Sequence, residues 1–173
     1  QQVVSTVHPL AATLAARLVG TWQSPMTRSD NMPMSVQAAF QMFPLSNGVY
    51  PTSSHTDVVD CCGCPRPGLT QDDNGTFAAD GGSYYYGKYR GTLTSVDENA
   101  MTATYQFSGT SSRGHSTRGT FTIDGRNDVL LRHVMTTVPG RGVFEWHFKL
   151  TRAGGAAPPA MMPGVPGVMQ MGR

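Results

Sequence analysis

The chain is 173 residues long, 39% of its residues are hydrophobic, only 14% are charged, and its formal net charge is +2. This length suits a single domain that buries a core of its own. The small charge argues against the broad basic surface that non-specific nucleic-acid binding requires. No apolar run reaches the roughly 20 residues of a membrane-spanning helix. We therefore expect one globular domain with no nucleic-acid partner and no transmembrane segment.

The first predicted element is a short helix within residues 8–18. Leu10, Leu14 and Leu18 share one helical face, and Pro9 stands near the start, where proline suits a helix. We expect residues 1–18 to form an N-terminal segment that ends in this helix. The chain begins with Gln1 rather than methionine, which is expected either of a protein whose targeting segment has been removed or of a trimmed chain. A processed N-terminus suggests a secreted or organellar protein, but it does not fix the compartment.

From Val19 onward the helical spacing gives way to alternating runs rich in threonine, tyrosine, phenylalanine and valine, which indicate β-strands. Short turns separate most of these runs, so sequence neighbours are expected to be antiparallel neighbours. The pattern predicts eight strands, near residues 19–28, 34–43, 49–59, 83–95, 100–108, 116–124, 128–138 and 142–152. The predicted fold class is all-β: an eight-stranded antiparallel up-and-down barrel over residues 19–152.

The last predicted hairpin directs particular side chains into this barrel. If Gly140-Arg141 forms a two-residue turn, Leu131 lies opposite Leu150, and apolar residues face each other along both strands. This register points His133 and Met135 inward.

The remaining strands complete a predicted interior. On the strand near 83–95, Tyr85 and Tyr89 share the face of Leu93. An eight-stranded barrel is either filled by its own side chains or wide enough for one small molecule, and both alternatives stay open here. The candidate ligand-binding residues are Phe40, Met42, Tyr85, Tyr89, Tyr105, Phe121, His133 and Met135.

Short motifs at the start and at the end of the predicted barrel sequence resemble a known family. The segment Leu18-Val19-Gly20-Thr21-Trp22 after a short helix, the meandering strands, and Arg152 at the end of the last strand resemble the calycin superfamily, which contains lipocalins and fatty-acid-binding proteins. The resemblance covers residues 10–152. It implies that Gly20 and Trp22 lie at the closed end of the barrel, where Arg152 packs over the indole ring as a structural contact. It also implies a lipocalin-like protein that binds a small apolar ligand such as a lipid.

The predicted inward position of His133 leaves three roles open. An inward imidazole orients a ligand, binds haem iron as in the nitrobindin-like branch of these barrels, or acts as a general base. The sequence contains no nucleophile elbow, phosphate-binding loop or dinucleotide-binding fingerprint. We therefore expect a protein without catalytic residues or a cofactor, and keep a small barrel cyclase or isomerase as an alternative.

Three cysteines lie in one short loop. Cys61, Cys62 and Cys64, with His55, are candidate zinc ligands, although only one C-x-x-C pair is present. A local disulfide between Cys61 and Cys64, or thiols without a function, are the alternatives.

The last segment, residues 153–173, changes to a low-complexity composition of glycine, alanine, proline and methionine. Because methionine and proline adapt to irregular apolar surfaces, residues 156–171 are a candidate strap that docks onto a protein partner. Folding back over the barrel is the alternative. The strap gives a second functional hypothesis: an accessory or scaffold subunit of a larger complex, for example an organellar membrane complex, docked through its termini.

Overall fold

The computed structural model describes residues 8–60, 62–66, 71–111 and 113–153. Helix α1 (Pro9–Ala16) opens this part of the chain. The Nδ1 atom of His8 accepts a hydrogen bond from the backbone N–H of Leu10 at 3.2 Å, which caps the helix. The buried face of α1 consists of Ala11, Leu14 and Ala15.

Eleven β-strands follow in the described residues. They are β1 (Gly20–Gln23), β2 (Thr27–Arg28), β3 (Ser35–Met42), β4 (Val49–Val59), β5 (Gln71–Ala78), β6 (Ser83–Tyr86), β7 (Tyr89–Asp97), β8 (Thr102–Thr110), β9 (Ser116–Asp124), β10 (Val129–Val138) and β11 (Gly142–Arg152). Strands β3 to β11 pair antiparallel in chain order, and β1 pairs with both β3 and β11. Ten strands thus close into a barrel, and β2 adds a short pairing to β3. The predicted antiparallel barrel is confirmed, whereas the predicted number of eight strands is wrong.

One of the two extra barrel strands is β5, which the sequence pattern missed. Its inward positions are Gln71, Asp73, Gly75 and Phe77. Gly75 and Phe77 pair with the buried Thr52 and Tyr50 of β4, and Gln71 and Asp73 line the barrel cavity with their own partners. Only Phe77 is apolar among these four inward positions, so β5 shows no hydrophobic alternation. The backbone ladder to β4 holds this strand in place despite its polar sequence.

The other extra strand arises because residues 83–95 form a hairpin. Tyr86 pairs with Tyr89 across the turn Gly87-Lys88, and Gly87 adopts a φ of +55°, which glycine tolerates best. This reversal points Tyr84 and Tyr86 inward. The predicted inward position of Tyr85 is therefore wrong: its side chain is 41% exposed on the outer face.

The β10–β11 hairpin has a different register from the predicted one. Val138 pairs with Gly142, so the turn contains three residues rather than two, and Leu131 lies opposite Lys149. The inward face of β10 carries Leu130, Arg132, Val134 and Thr136. The predicted inward positions of His133 and Met135 are wrong by this one-residue shift, which moves every side chain of a strand to the other face.

Helix α1 covers one end of the barrel, here called the closed end. The helix backbone packs directly on the turn between β5 and β6: a Cβ atom added at Gly81, where φ is +76°, would lie 2.5 Å from the backbone of Ala11. The indole N–H of Trp22, buried below the helix, donates to the backbone oxygen of Leu18 at 2.8 Å. The opposite end, here called the open end, carries the turn at Gly87-Lys88.

Arg152 joins the first and last strands at the closed end. Its Cζ atom lies 4.3 Å from the ring centroid of Trp22, the contact expected from the sequence. Its Nε atom donates to the carboxylate of Asp128 at 2.7 Å, and Nη2 donates to the backbone oxygen of Arg17 at 2.7 Å. Only 7% of the Arg152 side chain is exposed. The charge is therefore buried but fully partnered.

The boundaries of the N-terminal segment, barrel and tail stay predictions at both ends. Residues 1–7 and 154–173 lie outside the described residues, and so does the proposed strap, 156–171. Among the described residues, the helix present falls well short of the length and apolar character needed to cross a membrane.

The Arg152 contacts generate a stability prediction. We expect Arg152→Met to lower the free energy of unfolding by about 3 kcal/mol, because it leaves the Asp128 carboxylate and two backbone carbonyls without their partner. Urea denaturation followed by tryptophan fluorescence measures this change. The matched control is Arg90→Met, since the Arg90 guanidinium lies over the exposed ring of Tyr85. An equal fall in the free energy of unfolding in the two variants would contradict the view that Arg152 stabilises the closure between β1 and β11.

Candidate functional site

Aromatic side chains fill the closed half of the barrel. The rings of Phe77, Tyr84, Tyr105 and Phe121 contact one another, with centroid separations from 5.2 Å for Phe77 and Tyr84 to 5.9 Å for Tyr105 and Phe121. The Tyr105 hydroxyl donates to the backbone oxygen of Gly81 at 2.6 Å, and burial raises the pKa of Tyr105. This half is a packed core.

The open half of the barrel is hollow. A cavity of about 180 Å³ lies there, with an apolar wall formed by Val36, Ala38, Val58, Val134 and Phe148. It continues outward into a vestibule of about 410 Å³ at the open end, and the two spaces share Gln71, Asp73, Tyr89, Thr117 and Thr136 in their walls. A ligand of modest size therefore has both an enclosed space and an entrance.

Arg132 places a positive charge inside this cavity. One-residue alternation on β10 directs its side chain inward between the apolar neighbours Leu130 and Val134. Its Nη2 atom donates to the Tyr86 hydroxyl at 2.6 Å, and its guanidinium lies 5.4 Å from the ring centroid of Phe107. In the described part of the chain, no carboxylate lies within ion-pair distance of Arg132. Among the described residues, the other four N–H donors of Arg132 have no hydrogen-bond acceptor.

Tyr86 extends this donor group. Burial raises the pKa of Tyr86, and the neighbouring Arg132 charge opposes that shift only partly. The phenol is therefore neutral at physiological pH. Because its oxygen accepts from Arg132, its own O–H hydrogen is available to a further acceptor.

Trp146 supplies a third donor in the same cavity. Its side chain points inward from β11 opposite Val134 and is 8% exposed. Within the described residues, the indole N–H of Trp146 has no hydrogen-bond acceptor, and it is the buried side-chain polar atom that lacks one. An unpaired buried donor costs about 1–3 kcal/mol. The cavity thus holds donors that its own residues leave unused.

The opposite wall of the cavity carries an acceptor near the entrance. Asp73 on β5 faces both the cavity and the vestibule, and its carboxylate accepts from the Gln71 side chain at 2.7 Å. The hydroxyl groups of Thr117 and Thr136 bond each other at 3.0 Å. The vestibule therefore combines this carboxylate with the cationic side chains of Lys88 and Arg113, and the cavity behind it carries the guanidinium of Arg132.

The residues predicted to bind a ligand fall into three groups. Tyr89 lines the cavity and the vestibule, whereas Phe40 and Phe121 line a separate space of about 40 Å³ beside the aromatic cluster. Met42 and Tyr105 are buried in the closed half. Tyr85, His133 and Met135 lie on the outer face. The residues that sequence reasoning missed are Arg132, Tyr86 and Trp146 as a donor set, and the signal that identifies Arg132 is the alternation of β10 shifted by one residue.

The three roles considered for His133 all required its ring to point into the barrel, and the ring instead lies on the outer face. Its imidazole stacks on His147 on the outer face, with ring centroids 4.2 Å apart, and its Nε2 atom lies 2.5 Å from the Glu145 carboxylate. His133 therefore contacts neither a ligand nor haem inside the barrel.

The cysteine loop is organised by Asp60. The Asp60 carboxylate accepts the backbone N–H groups of Cys62 and Cys64, which lowers its pKa. His55 instead contacts Asp57 and Asp72 on the outer face of β4. In the described ranges, His55, Cys62 and Cys64 do not bring their donor atoms together as a metal site. Cys61, and with it the Cys61–Cys64 disulfide, lies outside the described residues.

Comparisons with known proteins support the fold alone. No protein-family model and no curated protein match the chain. The barrel is similar to the crystal structure of Rv2717c from M. tuberculosis, with a TM-score of 0.55 and 14% identity over 84% of this chain and 98% of that one. Weaker similarities, with TM-scores of 0.46 and 0.43, reach EF1p2_mFAP2b and the redesigned beta barrel mFAP1, both bound to DFHBI. These two matches show 14% and 18% identity over 82% of this chain and 98% of each barrel. A β-barrel is thus shown, and membership of the calycin superfamily stays a prediction.

The contacts of His55 generate a pH prediction. Hydrogen bonds to Asp72 and then to Asp57 raise its pKa above the ordinary value of 6.5. A raised pKa in the folded state stabilises the fold fully below pH 6.5, and this contribution disappears as the pH rises through the folded-state value. Because 44% of the His55 side chain is exposed, we expect an effect of about 0.5 kcal/mol or less.

An NMR titration of the His55 ring protons measures this pKa directly. We expect Asp72→Asn to return it toward 6.5, because the strongest of the two hydrogen bonds to a charged group is lost. An unchanged pKa in this variant would show that Asp72 does not stabilise the imidazolium.

Proposed function

We propose that this protein binds a small molecule inside the open half of its barrel, and that the ligand carries an apolar body and an anionic head group. The single observation that carries the proposal is the unused set of donors around the cavity. Arg132 has no carboxylate partner and Trp146 has no acceptor in the described part of the chain. Buried polar groups are rarely left unpaired, so their exceptions are expected at functional sites.

The energetics favour a ligand that completes these contacts. Arg132 is half-buried, so its guanidinium is partly desolvated without a counter-charge, and an anion that forms an ion pair and hydrogen bonds with it offsets that cost. A carboxylate, sulfonate or phosphate group presents acceptors that suit the planar guanidinium. The O–H of Tyr86 and the N–H of Trp146 are then available to the remaining acceptors. An anionic head therefore satisfies the cavity better than the wholly apolar ligand expected from the family resemblance.

The shape of the site supports one direction of binding. Drug-sized ligand pockets measure about 300–1,000 Å³ and combine apolar walls with few polar groups. The vestibule alone, at about 410 Å³, falls in this range, and the cavity behind it has the apolar wall. The vestibule carries charges of both signs, Asp73 together with Lys88 and Arg113, whereas Arg132 is the positive charge that faces the cavity behind it. The head group is thus held inside, and the body extends along the apolar wall toward the open end.

The alternative role as an accessory subunit has no contact in the described residues to argue from. It depends on residues 156–171, which lie outside them. The interior donors of the barrel favour ligand binding, because a scaffold gains nothing from a guanidinium that faces a cavity without a counter-charge.

A pair of fluorescent dyes tests the proposal. The anionic probe is 8-anilinonaphthalene-1-sulfonate, and the neutral probe is N-phenyl-1-naphthylamine, which has the same aromatic body without the sulfonate. We expect Arg132→Met to weaken binding of the anionic probe by about tenfold to hundredfold, since a hydrogen bond to a charged group contributes about 1.5–3 kcal/mol. The dissociation constant of the neutral probe is expected to change by less than about threefold, because this probe has no group that accepts from Arg132 as a sulfonate does.

The matched control is Arg118→Met, because Arg118 lies on the outer face of the neighbouring strand β9. An equal loss of affinity for the two dyes in Arg132→Met would contradict an interior anion site. Equal effects of Arg132→Met and Arg118→Met on the anionic dye would contradict it as well.

Stability provides an independent prediction at the same residue. We expect Arg132→Met to keep or raise the melting temperature of the ligand-free protein, because it replaces a half-buried charge without a counter-charge by an apolar side chain of similar length. Differential scanning calorimetry measures the change. A fall in melting temperature as large as that of Arg152→Met in the same calorimetric measurement would show that Arg132 is a structural residue rather than a binding residue.

A further inference from the structure

Two histidines and a glutamate meet on the outer face of the barrel, away from the cavity. His133 on β10 and His147 on β11 are direct cross-strand partners, so their side chains leave the sheet side by side. Glu145 precedes His147 by two residues and therefore projects from the same face. The two imidazole rings are nearly parallel, with an interplanar angle of 5°.

The donor atoms of these three residues are close enough to share an ion. One ligand atom from each residue can be chosen so that all three lie within 4.8 Å of one another. In the part of the chain that the structure describes, no other group of three histidine, cysteine, aspartate or glutamate residues meets this condition. Donors around a tetrahedral zinc ion lie about 3.3 Å apart, at metal–ligand distances of about 2.0–2.2 Å. Small side-chain rotations thus suffice to converge them.

A fourth residue orients one of the histidines. The Nδ1 atom of His147 lies 2.6 Å from the Asp30 carboxylate, so this nitrogen carries the proton and Nε2 keeps its lone pair. Metal-binding histidines commonly donate their other N–H group to a carboxylate in this way. The position of Asp30 is itself fixed, because its backbone N–H and the hydroxyl of Ser29 both donate to the backbone oxygen of Glu145 at 2.8 Å.

From this geometry we infer that the outer face of the β10–β11 hairpin is a site for a divalent first-row transition-metal ion, with His133, Glu145 and His147 as ligands and Asp30 as the orienting carboxylate. Two imidazoles and a carboxylate are donors that Zn²⁺ accepts. With neutral imidazoles, the two carboxylates give the cluster a charge of −2, which a divalent ion neutralises. The three ligands leave a fourth position of the zinc open to water.

The site sits on rigid backbone rather than on a loop. Two of the ligands are cross-strand partners in one of the longest paired regions among the described strands, and the third is two residues from one of them. This placement is independent of the interior donors. Binding at the metal site and binding in the cavity are therefore separable by substitution.

Isothermal titration with ZnCl₂ tests the inference. The protein used lacks an affinity tag, and Cys61, Cys62 and Cys64 are replaced by serine, so that the thiols contribute no competing zinc site. We expect one zinc ion per chain. Glu145→Gln and His147→Ala are each expected to weaken binding by more than about tenfold, the smallest loss usual even for residues that only support a metal ligand.

The matched control is His55→Ala, which removes another outer-face histidine that lies between two carboxylates. We expect its zinc affinity to equal that of the parent protein. Titration with Co²⁺ adds a spectroscopic measurement, since visible d–d bands from mixed nitrogen and oxygen ligands are expected to vanish in His133→Ala. Circular dichroism confirms that each variant is folded.

Two results would overturn the inference. The first is the absence of saturable zinc binding by the folded parent protein. The second is binding that Glu145→Gln and His147→Ala leave as strong as in His55→Ala. Neither result bears on the dye measurements, which concern the interior.

Discussion

The closure of the sheet through β1 is the constraint on which the rest of the molecule depends. This strand has only four residues, yet it pairs with β3 on one side and with β11 on the other. Trp22 is the cross-strand partner of Phe40 on β3 and of Arg152 on β11. A closed ladder leaves no exposed sheet edge. Because the helix, the indole ring and the aromatic cluster fill the closed end, the space inside a ten-stranded barrel is left at the open end.

The two ends of the barrel differ in whether their arginine and tryptophan side chains have hydrogen-bond partners. Arg152 and Arg132 both point into the barrel near aromatic rings. Among the described residues, Arg152 has a carboxylate and two backbone carbonyls as acceptors, whereas Arg132 has one phenol oxygen. The two tryptophans differ in the same way. Trp22 donates to the oxygen of Leu18, and Trp146 has no acceptor in the described residues. Satisfied groups stabilise the closed end, and unsatisfied groups surround the hollow.

Strands with clear apolar alternation were predictable from sequence, and β3, β4, β9, β10 and β11 lie within a residue of their predicted bounds. The helix and the contact of Arg152 with Trp22 also follow from short, specific patterns. β5 was hidden because its strand pairing, rather than hydrophobic alternation, holds Gln71 and Asp73 in place. The three consecutive tyrosines 84–86 carry no alternation at all, so the faces they occupy are decided only by the turn at Gly87.

The candidate site was harder to predict than the fold, and for a physical reason. The predicted β10–β11 register buries apolar residues and exposes charged ones, as a packed core requires, and it places Arg132 on the outer face. The barrel adopts the other register, in which the charge faces the cavity and His133 faces solvent. Functional residues are expected to break the patterns that describe stable cores. Convergence of His133, Glu145 and His147 likewise depends on a one-residue difference in strand pairing, which spacing alone does not resolve.

The two indole N–H groups provide the most direct measurement of the central claim that the open half is a ligand site. In ¹H–¹⁵N correlation spectra, each tryptophan gives one indole resonance, assigned by Trp22→Phe and Trp146→Phe. During titration with 8-anilinonaphthalene-1-sulfonate, the Trp146 resonance is predicted to shift and saturate as the dye binds, while the Trp22 resonance, held by Leu18, stays in place. Saturable dye binding that leaves the Trp146 resonance unmoved would contradict the claim.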